Sequence, residues 1–244
     1  MIKKKYLIEQ VKKEVDMPFN AKLKAEVMEY CNNDLPDFYY YNELYDFIKD
    51  EKLQERIKTE HKAIRFAYKL YEGIEATGDN QIFQIRNQIL GYATIYEAVI
   101  DYVLTTHYSD SIEFKDLINY KQLKEFNGLT LDKKAELKSL SGHDDIKLMY
   151  SKDVKKDYRT IHFEDKCSTA AKLGLIHSFI DENGKSIDLV AEIKEIYSYR
   201  NGIHLIAEQA KNIQYEIDFS KKSFYYLKPF LTQIKDKLIK DSLF

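Results

Sequence analysis

Apolar positions recur at spacings of three and four along most of the chain, the period of helices that bury one face. Residues 4–15 and 21–31 read as two short amphipathic helices split by "DMPFN", where Pro18 and Asn20 mark the break. "NNDLPDF" (32–38) is a second break. From Tyr41 to Ala76 the set Leu44, Phe47, Ile48, Leu53, Ile57, Ile64, Ala67, Leu70, Tyr71 and Ile74 keeps the helical period. "TGDN" (77–80) ends that run, with Gly78 placed as a helix terminator. The segment 81–108 carries the strongest stripe: Ile85, Ile89, Tyr92, Tyr96, Val99 and Val103, with Ala93 and Ala98 small enough for a neighbour to approach.

Residues 111–165 are mixed. "SIEFKDLINYKQLKEF" and "LDKKAELKSL" suggest short helices, and "SGHDDIKLMY" and "YRTIHF" read as loop or short strand. Helical signals return in 168–181, which opens with hydroxyls at capping positions. They continue in "IDLVAEIKEIYSYR", with Ser186 as cap and Asp188 complementing the helix N-terminus. Residues 218–241 close the chain, capped by Asp218 or Ser220 and kinked or broken at Pro229. The expectation is an all-α bundle: an N-terminal helical region, residues 1–76, on a C-terminal core of about four or five helices, residues 80–244.

Composition narrows the class. Glycine (8) and proline (3) are scarce, which favours long helices over sheets and turns. The net charge of −2 gives no global attraction to nucleic acid, so such a partner needs a local basic patch. Cys31 and Cys167 are far apart and form no C-x-x-C, which argues against a disulfide framework or structural zinc and fits a reducing compartment. No stretch approaches the ~18 apolar residues of a membrane span. "MIKKKYLIEQVKKEV" has the lysines of a signal peptide without its apolar core, so a cytoplasmic protein is expected.

The candidate chemistry centres on "EIYSYRNGIHLIAEQ" (195–209). Arg200-Asn201-Gly202 reads either as a helix end or as the start of a small catalytic set. On a continuous helix Arg200 and His204 sit one turn apart on one face. Arginine offers a planar fork for phosphate, and histidine titrates near neutrality. With Asn201 beside them, these residues suit RNA cleavage without a metal.

The run "LGLIHSFIDENGKSIDLVAEIKEIYSYRNGIHL" (173–205) resembles the HEPN family, in which a helix, a polar loop and a second helix lead into an Arg-Asn motif followed by histidine. "RNQILGYATIYEAVIDYVL" (86–104) is similar to an early helix of that family, with Glu97 amid apolar neighbours. The resemblance covers roughly residues 80–244 and says nothing of residues 1–76. It implies a HEPN-like helical bundle, usually a two-fold homodimer, and in active members a metal-independent endoribonuclease with no cofactor. Such members serve as toxins or in antiviral defence, often with an antitoxin or regulatory partner. Arg200, Asn201 and His204 would be catalytic; Glu97 reads either as support for Arg200 or as a glutamate on the solvated side of its helix. Only three residues separate Arg200 from His204 here, fewer than the four to six common in the family. The rival expectation is a non-catalytic HEPN-like module for dimerisation or for binding RNA or another partner.

Three further patterns bear on function. His107 with the adjacent His143-Asp144 echoes the start of an HD-type metal site, although "GHDD" also reads as a solvent loop. "SKDVKKDYR" (151–159) sets Lys152, Lys155, Lys156 and Arg159 beside Tyr150 and Tyr158. Basic residues among aromatics can follow a phosphate backbone, so Lys155, Lys156 and Arg159 are candidate RNA-binding residues, with Asp153 and Asp157 diluting the charge. "DFYYYNELYDF" (37–47) reads as packing, and His61, His162 and His177 have no partner pattern.

Overall fold

Short polar side chains set several of the helix starts. In the computed structural model, which describes residues 19–33, 35–142, 147–201 and 215–244, Asn20 accepts from the Leu23 N–H at the head of helix α1 (Ala21–Asn33). Asp37 does the same for α2 (Phe38–Tyr45), Asp50 for α3 (Glu51–Gly73) and Ser111 for α5 (Ile112–Ile118). Helix α4 runs between these last two, from Gly78 to His107. The other helices among the described residues are α6 (Leu131–Ser141), α7 (Phe163–Lys172), α8 (Leu189–Asn201), α9 (Ile217–Tyr225) and α10 (Leu227–Lys240). The chain is predominantly helical.

Two small antiparallel sheets modify the all-helical expectation. Strand β1 (Asn119–Glu125) pairs with β2 (Met149–Lys155) in register Asn119↔Lys155 through Glu125↔Met149. The tail of "SIEFKDLINYKQLKEF" is therefore strand rather than helix. Strand β3 (Phe179–Ile180) pairs with β4 (Ser186–Ile187), and Asp181 accepts from Asn183 and Lys185 N–H groups in the turn between them.

Several boundaries differ from the periodicity for local reasons. The run from Tyr41 to Ala76 breaks between α2 and α3, where Asp50 starts the second helix. Gly78 does not end α3; its φ of +58° belongs to the entry of α4, after a turn at Ile74 and Glu75. Helix α7 stops at Lys172, ahead of Gly174 at φ +74°, so Ser168 is not a cap and bonds back to the Glu164 carbonyl. Asp188, not Ser186, receives the Ala191 N–H at the start of α8. Helix α9 follows Glu216, which makes no side-chain cap, in place of a cap by Asp218 or Ser220. Pro229 lies in the first turn of α10, where a missing N–H is tolerated, and the break falls at Tyr226.

The chain divides into two compact units. The first takes the described residues up to Tyr96 together with Ile196–Thr232; the second takes Glu97–Glu195 and Gln233–Phe244. In the first unit α1 and α2 pack on α3, and α3 lies so close to α4 that a Cβ on Gly91 would stand 2.5 Å from Ile64 Cδ1. The close approach thus uses Gly91 rather than the expected Ala93, which lies two residues on and faces another side of the helix. Its centre is aromatic: Tyr41, Tyr45 and Tyr92 are fully buried around His61, with Phe224 6.5 Å from the imidazole. Tyr45 and His61 Nδ1 share a 3.0 Å hydrogen bond, and the Arg65 guanidinium lies 4.1 Å over Phe224. The run 37–47 packs as expected through Tyr41, Tyr45 and Phe47, while Phe38 and Tyr39 stay exposed. In the second unit α5 packs on α7, and Tyr108 donates to Asp241 at 2.7 Å. Cys31 and Cys167 are buried free thiols.

Burial, helped by the Arg65 charge, pulls the pKa of His61 from 6.5 to about 3. The folded chain therefore declines a proton that the unfolded chain binds below 6.5. Stability from this group is complete above that pH and lost as pH falls toward 3, at about 1.4 kcal/mol per pH unit. Urea unfolding between pH 6.5 and 5 should show this slope, and His61→Gln should flatten it. An unchanged slope in the variant would contradict a neutral, caged His61.

Candidate functional site

Helix α8 buries Leu189, Ile193, Ile196 and Tyr197 along one stripe, and Arg200 follows in its last turn. Arg200 is half-buried. Its Nη1 donates to the Tyr197 hydroxyl at 2.8 Å, and its guanidinium lies 5.0 Å over the Tyr197 ring. The i, i+3 spacing brings the two together, and the ring and its hydroxyl orient the guanidinium plane. The neighbouring Tyr199 stacks on Phe219 at 4.1 Å and meets Tyr215 edge-on, while Arg86 lies 5.5 Å over Tyr215. Asn201 is exposed at the end of α8. His204 lies outside the described residues.

Glu97 belongs to the second unit and Arg200 to the first. Glu97 is half-buried on α4, and within its own unit its charge acts on the Tyr158 hydroxyl. That tyrosine is part of a cluster the sequence did not reveal. Tyr158 donates to Asp101 Oδ1 at 2.9 Å, and Lys166 reaches the same carboxylate at 2.9 Å. The Lys166 ammonium, only 4% exposed as a residue, also lies 4.3 Å over the Tyr158 ring. Burial first, then the Asp101 charge, pushes the Tyr158 pKa up. Burial also raises the thiol pKa of the adjacent Cys167, so it is held as an unreactive thiol. The signal available in sequence was only Asp101 on an otherwise apolar stretch of α4.

The basic run 151–159 splits in three. Lys155 ends β2 with its side chain on the sheet face that carries Asp153, because neighbours along a strand alternate. Lys156 turns to the opposite face, where its ammonium lies 5.3 Å over the Tyr120 ring. Arg159 stands beyond the strand in a short 3-10 turn (Tyr158–Thr160), forked onto Asp157 at 3.0 and 3.3 Å with its side chain 86% exposed. Tyr158 anchors the Asp101 cluster, and its ring is engaged by Phe114, stacked at 5.5 Å, and by the Lys166 ammonium.

Of the HD-type residues, His143 and Asp144 lie outside the described residues. His107 ends α4 with its ring 5.7 Å from Tyr102. Among the described residues, no three His, Cys, Asp or Glu side chains gather as a metal site. His162 precedes α7 without a capping bond, and His177 is exposed with Nδ1 2.9 Å from the Ser178 carbonyl. Among the described residues no helix is long and apolar enough to cross a membrane.

No family model, curated protein or solved structure matches this chain.

The Asp101 cluster yields a stability prediction. Asp101→Asn leaves the Lys166 ammonium buried without its counter-ion and should cost roughly 2–4 kcal/mol, discounted for the partial exposure of Asp101. Asp157→Asn breaks an exposed pair and should leave stability close to that of the unsubstituted chain. Chemical denaturation of the two variants checks this, and equal losses would show that the cluster is no more than a surface pair.

Proposed function

We propose that this chain is a HEPN-like endoribonuclease that cleaves RNA without a metal, as a homodimer. The observation that supports this most is Arg200: a half-exposed guanidinium steadied by Tyr197, directly ahead of Asn201 and the His204 of the motif. Arginine binds a phosphodiester through its fork and stabilises the charge that builds on the phosphorane. A neutral His204 removes the proton from the RNA 2′-hydroxyl, whose oxygen attacks the adjacent phosphorus. A protonated His204, from the second copy, gives its proton to the departing 5′-oxygen as the P–O5′ bond breaks. The products are a 2′,3′-cyclic phosphate and a 5′-hydroxyl. Asn201 orients one partner or the other. In the toxin or defence role that the resemblance implies, an antitoxin or regulatory partner restrains the activity.

A second reading has an observation of its own. Arg200 in the last turn complements the helix dipole, and its contact with Tyr197 is also a packing role. That favours a non-catalytic HEPN-like module for dimerisation or partner binding.

Incubation with RNA in EDTA separates the two. The ribonuclease cleaves; His204→Ala slows it by ~10²–10⁴, the usual weight of proton transfer, and Arg200→Lys is also severely impaired because the fork is lost. Loss of cleavage in EDTA and in His143→Ala, with His204→Ala active, would instead indicate metal-dependent chemistry. No cleavage under any condition leaves the binding module. Light scattering at micromolar concentration should give a dimer, and a monomer would remove the second histidine from the scheme.

A further inference from the structure

The register of β1 and β2 sorts the basic run more sharply than its sequence does. Side chains on one face of an antiparallel pair are directly opposed residues and those two further along. One face carries Tyr120 opposite Val154, Gln122 opposite Lys152, and Lys124 opposite Tyr150. The other carries Asn119 and Lys155, Lys121 and Asp153, Leu123 and Ser151, and Glu125 and Met149. Both carboxylates of the ribbon fall on this second face. There Asp153 stands directly across from Lys121, and Glu125 is paired by Lys147 at 3.2 Å.

The first face therefore holds two tyrosines, two lysines, a glutamine and a valine, with no acidic residue. Lys156 extends it by one step: its N–H donates to the Ile118 carbonyl at 2.7 Å, and its ammonium covers Tyr120. The face is open, with Tyr120 37% and Tyr150 46% exposed, and only Val154 on β2 is partly covered. The tyrosines stand at diagonal ends, four residues or about 13 Å apart along the strands, with Gln122 and Lys152 between them. Tyr120 and Lys156 also border a hollow lined by Glu113, Asp116, Asp165 and Lys172, whose three carboxylates end the basic strip.

We infer that this face, Tyr120, Gln122, Lys124, Tyr150 and Lys152 with Lys156, docks single-stranded RNA. Lysines set along a strip meet the phosphates, the exposed rings stack on unpaired bases, and the glutamine amide adds a donor and an acceptor. A duplex hides its base faces in its own stack, so it lacks what the tyrosines engage. The inference deepens the ribonuclease reading by naming where the substrate strand is held, and rests on that reading for the identity of the strand. It separates residues that adjacency groups together: Lys156 belongs to the docking face and Lys155 does not.

The test uses the full chain carrying His204→Ala, so that binding is read apart from cleavage. Fluorescence anisotropy with a labelled oligouridine measures affinity across a salt series. Lys124→Gln with Lys152→Gln should weaken binding roughly tenfold and lower the slope of log K against log salt by about 1.4, two phosphate contacts on a single strand. Lys121→Gln with Lys155→Gln makes the same change in charge on the opposite face and should leave affinity within about twofold. Tyr150→Ala should weaken binding without altering the salt slope. Equal losses from both faces, or from neither, overturn the inference. So does a loss of self-association in the Lys124/Lys152 variant with RNA affinity intact, which would make the face a contact between copies. Ribbon-dependent binding without cleavage by the unsubstituted chain would refute the ribonuclease alone. Cleavage by the unsubstituted chain, together with full-strength binding by the ribbon variants, would refute the docking face alone.

Discussion

The burial of helix α4 is the constraint on which the rest of the structure depends. Its thirty residues span about 45 Å, and Ile85, Ile89, Tyr92, Ala93, Ile95, Tyr96, Val99, Ile100, Val103 and Leu104 are all withdrawn from water. Those positions go well beyond one stripe. Along Tyr92–Leu104 the helix is apolar on most sides and must be wrapped by other elements. Each large side chain among them contributes about 1.5–3 kcal/mol by leaving water. The residues up to Tyr96 serve the first unit and those from Glu97 the second, so one helix supplies core to both. Its polar groups are placed accordingly. Tyr96 donates to the Ser223 carbonyl inside the first unit, and Asp101 gathers Tyr158 and Lys166 inside the second.

Helices whose apolar positions recur at three and four were legible from the sequence, because burial sets that period. This holds for most of α3 and above all for α4. The ribbon was not. "NYKQLKE" carries polar residues at both parities, so alternation gives no signal when neither face is buried, and its lysines and glutamate suit a helix by propensity. The partner strand starts 24 residues further on, beyond α6, so no short turn announced a hairpin. Boundaries failed where two capping residues competed, as with Ser186 and Asp188 before α8.

The candidate site shows the same division. Arg200 and Asn201 were readable as a local motif, and the i, i+3 contact of Tyr197 with Arg200 was open to the same reasoning. The Asp101–Tyr158–Lys166 cluster was not, since its members lie 57 and 65 residues apart and each is an ordinary residue alone. The basic run needed the fold most. As a string, "SKDVKK" mixes signs; as half of a twisted ribbon, it delivers its aspartate to one face and two of its lysines to the other. A local basic strip can thus exist on a chain whose net charge is −2, because sorting by register rather than overall composition sets the local field.

The proposed ribonuclease reaction requires attack by RNA's own 2′-hydroxyl, and the ends of the products report that step most directly. Mass spectrometry of an oligonucleotide cut by the unsubstituted chain in EDTA should find a 2′,3′-cyclic phosphate on one fragment and a 5′-hydroxyl on the other. A substrate with a single 2′-deoxynucleotide at the cut position should stay intact there. Fragments ending in 3′-hydroxyl and 5′-phosphate, or cleavage at the deoxynucleotide, would mean that water attacks instead and would contradict the roles given to Arg200 and His204.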